Sequence, residues 1–238
     1  MENVFKRHEI KFMLNQEQFA EIKCVLSKHM TADSYDNYLV QNMYFDTDNW
    51  DVIRTSIEKP VYKEKLRLRC YGIPQRDTLM FLELKKKFKG IVYKRRIAFP
   101  MEEIFEKAKS LHTIIAEDTS QIGRELAFYI RTHPVYERAY IAYQRLAFSG
   151  EAGFRVTFDT DAYFSLHSIG CENPAAGQPI FPEDMILMEV KTAGGIPLWL
   201  TQMLSEKKIH PISFSKYGVG YTKYILGDVS QWTSSSVA

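Results

Sequence analysis

The chain has 238 residues, 45% of them hydrophobic, and carries 31 Lys+Arg against 29 Asp+Glu for a formal charge of +2. That is too much apolar material for a disordered or collagen-like chain, and the length suits one large domain or two small ones of about 100–200 residues. No apolar run approaches the ~20 residues of a membrane helix, the opening MENVFKRHEIK lacks a secretion-signal core, and three scattered cysteines form no CxxC pair. A cytoplasmic protein without a disulfide framework or zinc site is expected.

In chain order, alternation predicts a first strand over 5–14. Asn15 and Gln18 then form a capping box ahead of Phe19, Ile22, Val25 and Leu26, which predicts a helix over 16–30. A strand over 39–46 and a short helix near 48–57 follow, then strands over 62–72, 79–88 and 91–99 joined by turn-like Gly72-Ile-Pro74 and Lys89-Gly90. Helices are predicted over 101–109 and 119–132, strands over 135–148, 154–160 and 185–192, and helices over 197–208 and 216–225. Residues 171–182 read as a loop and 233–238 as a frayed tail. Strands dominate and most follow one another through short turns, which favours an antiparallel α+β arrangement.

The near-neutral total conceals a segregation. Residues 61–100 hold twelve Lys/Arg and three acids, a local net of +9, which leaves 19 basic and 26 acidic residues, net −7, in the rest. Successive strand side chains point to opposite faces. Lys65, Arg67 and Arg69 therefore share one face, and so do Glu83, Lys85 and Lys87 in the next strand, Lys94 and Arg96 in the one after, Arg7, Glu9 and Lys11 at the start, Arg155, Thr157 and Asp159 later, and Glu189 with Lys191. The bland reading is a half-buried sheet with a solvated face. Two features weigh against it. The face prefers Arg and Lys to neutral polar residues although like charges on neighbouring strands repel, and E-x-K recurs at Glu9/Lys11, Glu83/Lys85 and Glu189/Lys191. A sheet curled around that face forms a cationic lumen with a few carboxylates, which a polyanion and bridging metal ions would balance.

These residues resemble a known family. RHEIKFML (7–14), NMYFDTDN (42–49), EKLRLRCYG (64–72), FLELKKK (81–87), VYKRRIAF (92–99), YQRLAF (143–148), FRVTFDTD (154–161), LMEVKT (187–192) and SKYGVG (215–220) are similar, in order, to the VTC-type polyphosphate polymerase domains, a branch of the triphosphate tunnel metalloenzymes that also include the CYTH proteins. The resemblance implies one domain over 1–228 with a flexible tail at 229–238, built as an α+β fold around an eight-stranded antiparallel β-barrel tunnel flanked by helices. It further implies transfer of the γ-phosphate of ATP to a growing polyphosphate chain with Mn²⁺ or Mg²⁺. On it, Arg67, Arg69, Lys85, Arg145 and Arg155 would act on the transferring phosphate. Lys11, Lys65, Lys87, Lys94, Arg96, Tyr143, Lys191, Ser215 and Lys216 would bind the chain, and Glu189, with Glu83 and Glu9, would hold the metal. CYTH proteins open with E-x-E-x-K, whereas Arg7 stands at the first Glu here, which points to the VTC branch.

The ordinary alternative for the arginines is an exposed sheet face, and for Lys11, Lys85 and Lys191 it is salt bridging to the neighbouring glutamates. Arg138 has the opposite parity to Tyr143 and Arg145, so it is expected outside unless a bulge intervenes. Asp159 and Asp161 are further candidate metal ligands against the reading of an ordinary acidic turn. The six histidines show no paired metal spacing, and His167 with Cys171 has no second pair. A tripolyphosphatase uses the same ligands, and a non-catalytic polyphosphate-binding module is the third reading. Carboxylates on the basic faces count against nucleic acid, which would be repelled by them and would want exposed stacking aromatics. No SPX-like domain or membrane anchor is read in these residues, so a membrane-protein partner stays open.

Overall fold

The computed structural model describes residues 8–33, 37–89, 91–105, 110–166 and 177–227. Its elements are β1 (His8–Leu14), α1 (Gln16–His29), β2 (Thr31–Ala32), β3 (Tyr38–Asp46), α2 (Asp51–Ile57), β4 (Tyr62–Tyr71), β5 (Leu79–Phe88), β6 (Ile91–Pro100), α3 (Glu102–Phe105), α4 (Leu111–Glu117), α5 (Gln121–Thr132), β7 (Tyr136–Ser149), β8 (Arg155–Ser165), β9 (Gln178–Pro179), β10 (Ile186–Thr192), α6 (Leu198–Glu206) and α7 (Lys216–Tyr224). The expectations for Arg7, His167, Cys171, the tail and the end of the 101–109 helix lie outside the described residues.

All eight long strands form one antiparallel sheet in the order β1-β10-β8-β7-β3-β4-β5-β6, with the two-residue β2 and β9 added on β7 and β8. The α+β fold with flanking helices is therefore as expected. The closed barrel is not, because among the described residues the path ends at β1 and β6 and these edges do not pair. The physical reason lies at the β1 edge. The Ile212 amide donates to the Lys11 carbonyl at 2.8 Å, so the segment leading into α7 occupies a backbone acceptor in the middle of the edge that a closing strand would need. Side chains cross the gap instead, with Lys85 of β5 reaching Glu9 of β1 at 3.3 Å.

Local sequence explains the placement of the helices. Asn15 accepts from the Gln18 amide while Gln18 returns the bond, the expected capping box, and Ile22 and Leu26 turn inward against Phe12, Phe158 and Met188. α4 and α5 cover the apolar face of β4–β6 through Ile114, Ile115, Leu126 and Tyr129, packed on Leu66, Leu68, Leu82, Leu84 and Ile97. Burial of these alternate leucines, each side chain worth about 1.5–3 kcal/mol, holds the opposite face of the strands toward the charged side. α2 and α7 pack elsewhere, through Ile53, Tyr217 and Tyr221 against Val40, Ala139 and Ile141. Register pairs Val40 with Tyr143 and Asn42 with Ile141 and Arg69, which places this cluster on the same face as the arginines. α7 thus plugs part of the charged concavity. It sits close because Gly220 has no side chain, where a Cβ would meet the Phe164 ring at 2.2 Å. No helix among the described residues is long and apolar enough to cross a membrane.

Candidate active site

The β4–β5 register sets the layout. Lys63 lies opposite Lys87, Lys65 opposite Lys85, Arg67 opposite Glu83 and Arg69 opposite Phe81. Two successive like-charged cross-strand pairs are unfavourable on their own. Burial first, then Lys63, Lys85, Lys11 and Arg67, pushes the Lys65 ammonium down to about 7. The ammonium donates to the Ser215 hydroxyl at 3.5 Å and lies over the Tyr217 ring, 5.8 Å from the centroid.

Glu83 is 1% exposed and both its oxygens are taken. Arg67 donates to Oε2 through Nε and Nη2 at 2.9 and 2.8 Å, Arg96 and Lys94 approach Oε1, and Arg69 Nε stands 4.0 Å off. Burial raises the Glu83 carboxyl, but Arg67, Arg69 and Lys94 outweigh it and hold it well below the carboxylate range. Burial likewise leads in lowering Lys94, to about 8 despite Glu83. Tyr44 accepts from Arg67 Nη1 at 3.2 Å, and Asn42 accepts from Arg69 Nε at 2.8 Å.

A second group lies across the concavity. Arg145 grips Asp159 with two bonds, Nε–Oδ1 2.6 Å and Nη2–Oδ2 2.8 Å, and Lys216 binds the same carboxylate. The arrangement follows from register, which pairs Arg145 with Asp159 across β7 and β8. Tyr143 joins them, its hydroxyl 3.4 Å from Arg69 Nη2 and its ring under Lys216. Burial opposes ionisation of that phenol, yet Arg145, Arg69 and Lys216 bring it down to about 8. Ser215 caps α7 by accepting from the Gly218 amide, which aims Lys216 into the concavity.

The third group joins β1 and β10. Lys11 lies 3.2 Å from Glu9 and 3.8 Å from Glu189, and Lys191 is 2.7 Å from Glu189. Burial raises both carboxyls, and the surrounding lysines, led by Lys191 at Glu189 and Lys85 at Glu9, pull them below the usual range. Among the described residues no three His, Cys, Asp or Glu converge. The donors present suit Mg²⁺ or Mn²⁺ all the same, since such ions are held by one or two carboxylates with substrate phosphates completing the set. A further oxygen is at hand. Thr157 lies opposite Glu189, and its buried hydroxyl has no hydrogen-bond partner.

Most of the residues expected at the site are thus together on one concave face, Lys11, Lys65, Arg67, Arg69, Lys85, Lys94, Arg96, Tyr143, Arg145, Lys191, Ser215, Lys216, Glu9, Glu83 and Glu189 among them. Arg155 shares the face but is held at its margin by Asp33 and Ser149. Lys87 is exposed at the end opposite Lys63. Arg138 sits on a bulge, skipped between the Tyr44–Ala139 and Phe45–Glu137 pairs, and stacks over Trp50 away from the cluster. Asp161 stands apart, in a positive-φ position where it accepts from Thr160. Asn42, Tyr44 and Thr157 are the residues that sequence reasoning gave no role. The parity of Asn42 and Tyr44 within NMYF was the available signal.

An antiparallel sheet curled around arginines, lysines and a few carboxylates defines a strongly cationic concavity. The VTC domain family model matches residues 6–225, and the chain belongs to that family. No functionally curated protein matches it. Among solved structures, an adenylyl cyclase-like protein from Hippeastrum, described as having a dominant triphosphatase activity, is 16% identical, with a TM-score of 0.53 over 90% of this chain and 95% of that one. The PH1819 protein of Pyrococcus horikoshii is 14% identical, with a TM-score of 0.48 over 92% of this chain and 99% of its own. The Hippeastrum likeness shows the fold.

Proposed function

We propose that the concave face binds a linear phosphate chain and transfers the γ-phosphoryl group of ATP to the end of a growing polyphosphate. The observation that carries this reading is the stacked Lys63–Lys87 and Lys65–Lys85 pairs, like charges facing one another across the ladder that gain from a polyanion laid along them. Membership of the VTC family and the polymerase motifs read in the sequence support the same choice.

The chemistry needs no side-chain nucleophile. An oxygen of the acceptor's terminal phosphate is already ionised. As it bonds to the γ-phosphorus, the bridging P–O bond to the β-phosphate breaks and ADP departs with the electron pair. Arg67 and Arg69, fixed by Glu83, Tyr44 and Asn42, present guanidinium groups that need not reorganise as charge develops. Arg145 and Lys216, both held on Asp159, face them from the other side. Lys65 and Lys85 take the phosphate chain between them, and Ser215 offers a hydroxyl beside Lys65. Glu189 and Glu9 would hold a divalent ion, which supplies charge neutralisation on the transferring group. Aligning donor and acceptor in one groove supplies the remainder of the rate.

The test is incubation of the purified protein with ATP and Mn²⁺, followed by separation of polyphosphate on a gel. Arg67→Ala and Glu189→Ala are expected to abolish product while circular dichroism stays unchanged; wild-type rates in either would overturn the assignment. Hydrolysis is the second reading, favoured by the triphosphatase activity described for the Hippeastrum protein of similar fold. Release of orthophosphate from tripolyphosphate, without chain growth from ATP, would establish it instead.

A further inference from the structure

The two ends of the concave face are chemically different. Along β4 and β5 the inward cross-strand pairs run from Lys63–Lys87 through Lys65–Lys85 and Arg67–Glu83 to Arg69–Phe81, and Tyr71 ends the row. One end is therefore lysine alone, and the other turns aromatic. Tyr38 of β3 extends the aromatic end, with its ring 5.9 Å from Tyr71, whose ring is in turn 5.8 Å from Phe81, both contacts edge-on. Arginines back these rings. Arg96 lies 4.2 Å from the Phe81 centroid and Arg69 5.9 Å from that of Tyr71. Tyr71 is 37% exposed, whereas Arg69 one layer deeper is 7% exposed, so the rings stand where the groove opens to solvent.

Phosphate alone gives no reason for aromatic rings on a cationic face. A purine or pyrimidine does, since every base has a π-face that stacks on aromatic rings and on arginine planes. The span also fits. Tyr71 lies eight steps along the strand from Lys63, roughly 27 Å at about 3.4 Å per residue, long enough for a base and several phosphates in line.

We infer that Tyr38, Tyr71 and Phe81, with Arg96, form a nucleobase-binding site at one mouth of the groove. A nucleoside triphosphate then enters with its phosphates directed past Arg69 and Arg67 toward the Lys65–Lys85 layer, while the inorganic chain occupies the Lys63–Lys87 end. This rests on the phosphate-binding reading above and adds to it the direction in which the donor lies.

The experiment compares two probes, ATP and inorganic tripolyphosphate, by titration calorimetry on the wild-type protein and on Tyr71→Leu, Phe81→Leu and Phe81→Tyr. The leucine variants are expected to weaken ATP about tenfold relative to tripolyphosphate, and Phe81→Tyr to restore ATP. Tyr71→Leu leaves the Arg96–Phe81 contact in place, so a folding defect in the Phe81 variants cannot decide the outcome. A wild-type protein that binds both probes, with variants that lose both equally or neither, would overturn the nucleobase site alone. A wild-type protein that binds neither probe overturns the phosphate reading and this inference together.

Discussion

Lys65 faces Lys85 directly across the β4–β5 ladder, and the Lys65 ammonium meets the Ser215 hydroxyl at 3.5 Å rather than a carboxylate. Folding therefore concentrates positive charge at this layer. The ammonium titrates near 7 in the folded protein against 10.5 for a free lysine, so above about pH 7 the unfolded chain holds a proton that the folded chain has released. Stability of the empty protein accordingly rises with pH from about 7 toward 10.5, and the penalty is fully present below 7. Lys65→Met is expected to raise the melting temperature below pH 7 by about 2–4 °C, to flatten this rise, and to weaken tripolyphosphate binding about tenfold. Differential scanning fluorimetry across pH, with and without tripolyphosphate, checks all three.

Glu83 has the opposite role. It neutralises Arg67, Lys94 and Arg96 from a buried position, and its removal leaves those cations facing one another. Glu83→Gln is expected to cost about 3–5 kcal/mol in urea unfolding, the usual penalty for breaking a buried pair, with part recovered when tripolyphosphate is added. Its folded carboxyl lies below the free value of 4.5, so the contribution is complete above that pH and fades only as the solution becomes strongly acidic. Acid unfolding of the wild type should accordingly be late, and that of Glu83→Gln early.

Asp159 holds Arg145 and Lys216 on one carboxylate and is 0% exposed. On the proposed function it positions both cations and touches no substrate itself. Asp159→Asn keeps the shape but loses the charge that aims both cations, and turnover should fall roughly 100-fold with a smaller change in ATP affinity. Equal losses in kcat and affinity would instead indicate a merely structural part.

Asp46 ties α7 to the sheet. Its carboxylate accepts from the Thr47, Val52 and Ile53 amides and from the Tyr217 hydroxyl at 2.7 Å, while the Tyr217 ring stacks on Tyr44 at 4.6 Å. Tyr217→Phe keeps the stack and removes one bond, at about 1 kcal/mol. Faster hydrogen exchange in residues 215–224 and a raised KM for ATP are expected, because Ser215 and Lys216 move with the helix.

Much of this was legible from parity. The period-2 charge in KLRLR and FLELKKK assigned a face to nearly every cation at the site, and the apolar partners of those residues are the buried leucines under α4 and α5. What parity could not convey is which strands become neighbours. The Arg145–Asp159 grip depends on β7 lying beside β8, so the sequence left Asp159 between a metal ligand and an ordinary acidic turn and did not show its pairing with Arg145. Closure failed for a related reason. Nothing local in SFSKYGVG signals that the chain before α7 will take up the β1 edge at Lys11, or that the helix will lie on the charged face. The Arg138 bulge likewise depends on pairing with β3.

Titration of the purified protein with inorganic tripolyphosphate and Mn²⁺, in parallel with Arg67→Ala and Arg69→Ala, decides whether a phosphate chain seats on this face. Saturable one-to-one binding that weakens at least about tenfold in each variant is expected, since a charge-assisted bond is lost in each. Absence of binding to the wild type, or equal binding by all three proteins, would contradict a phosphate chain seated on this face.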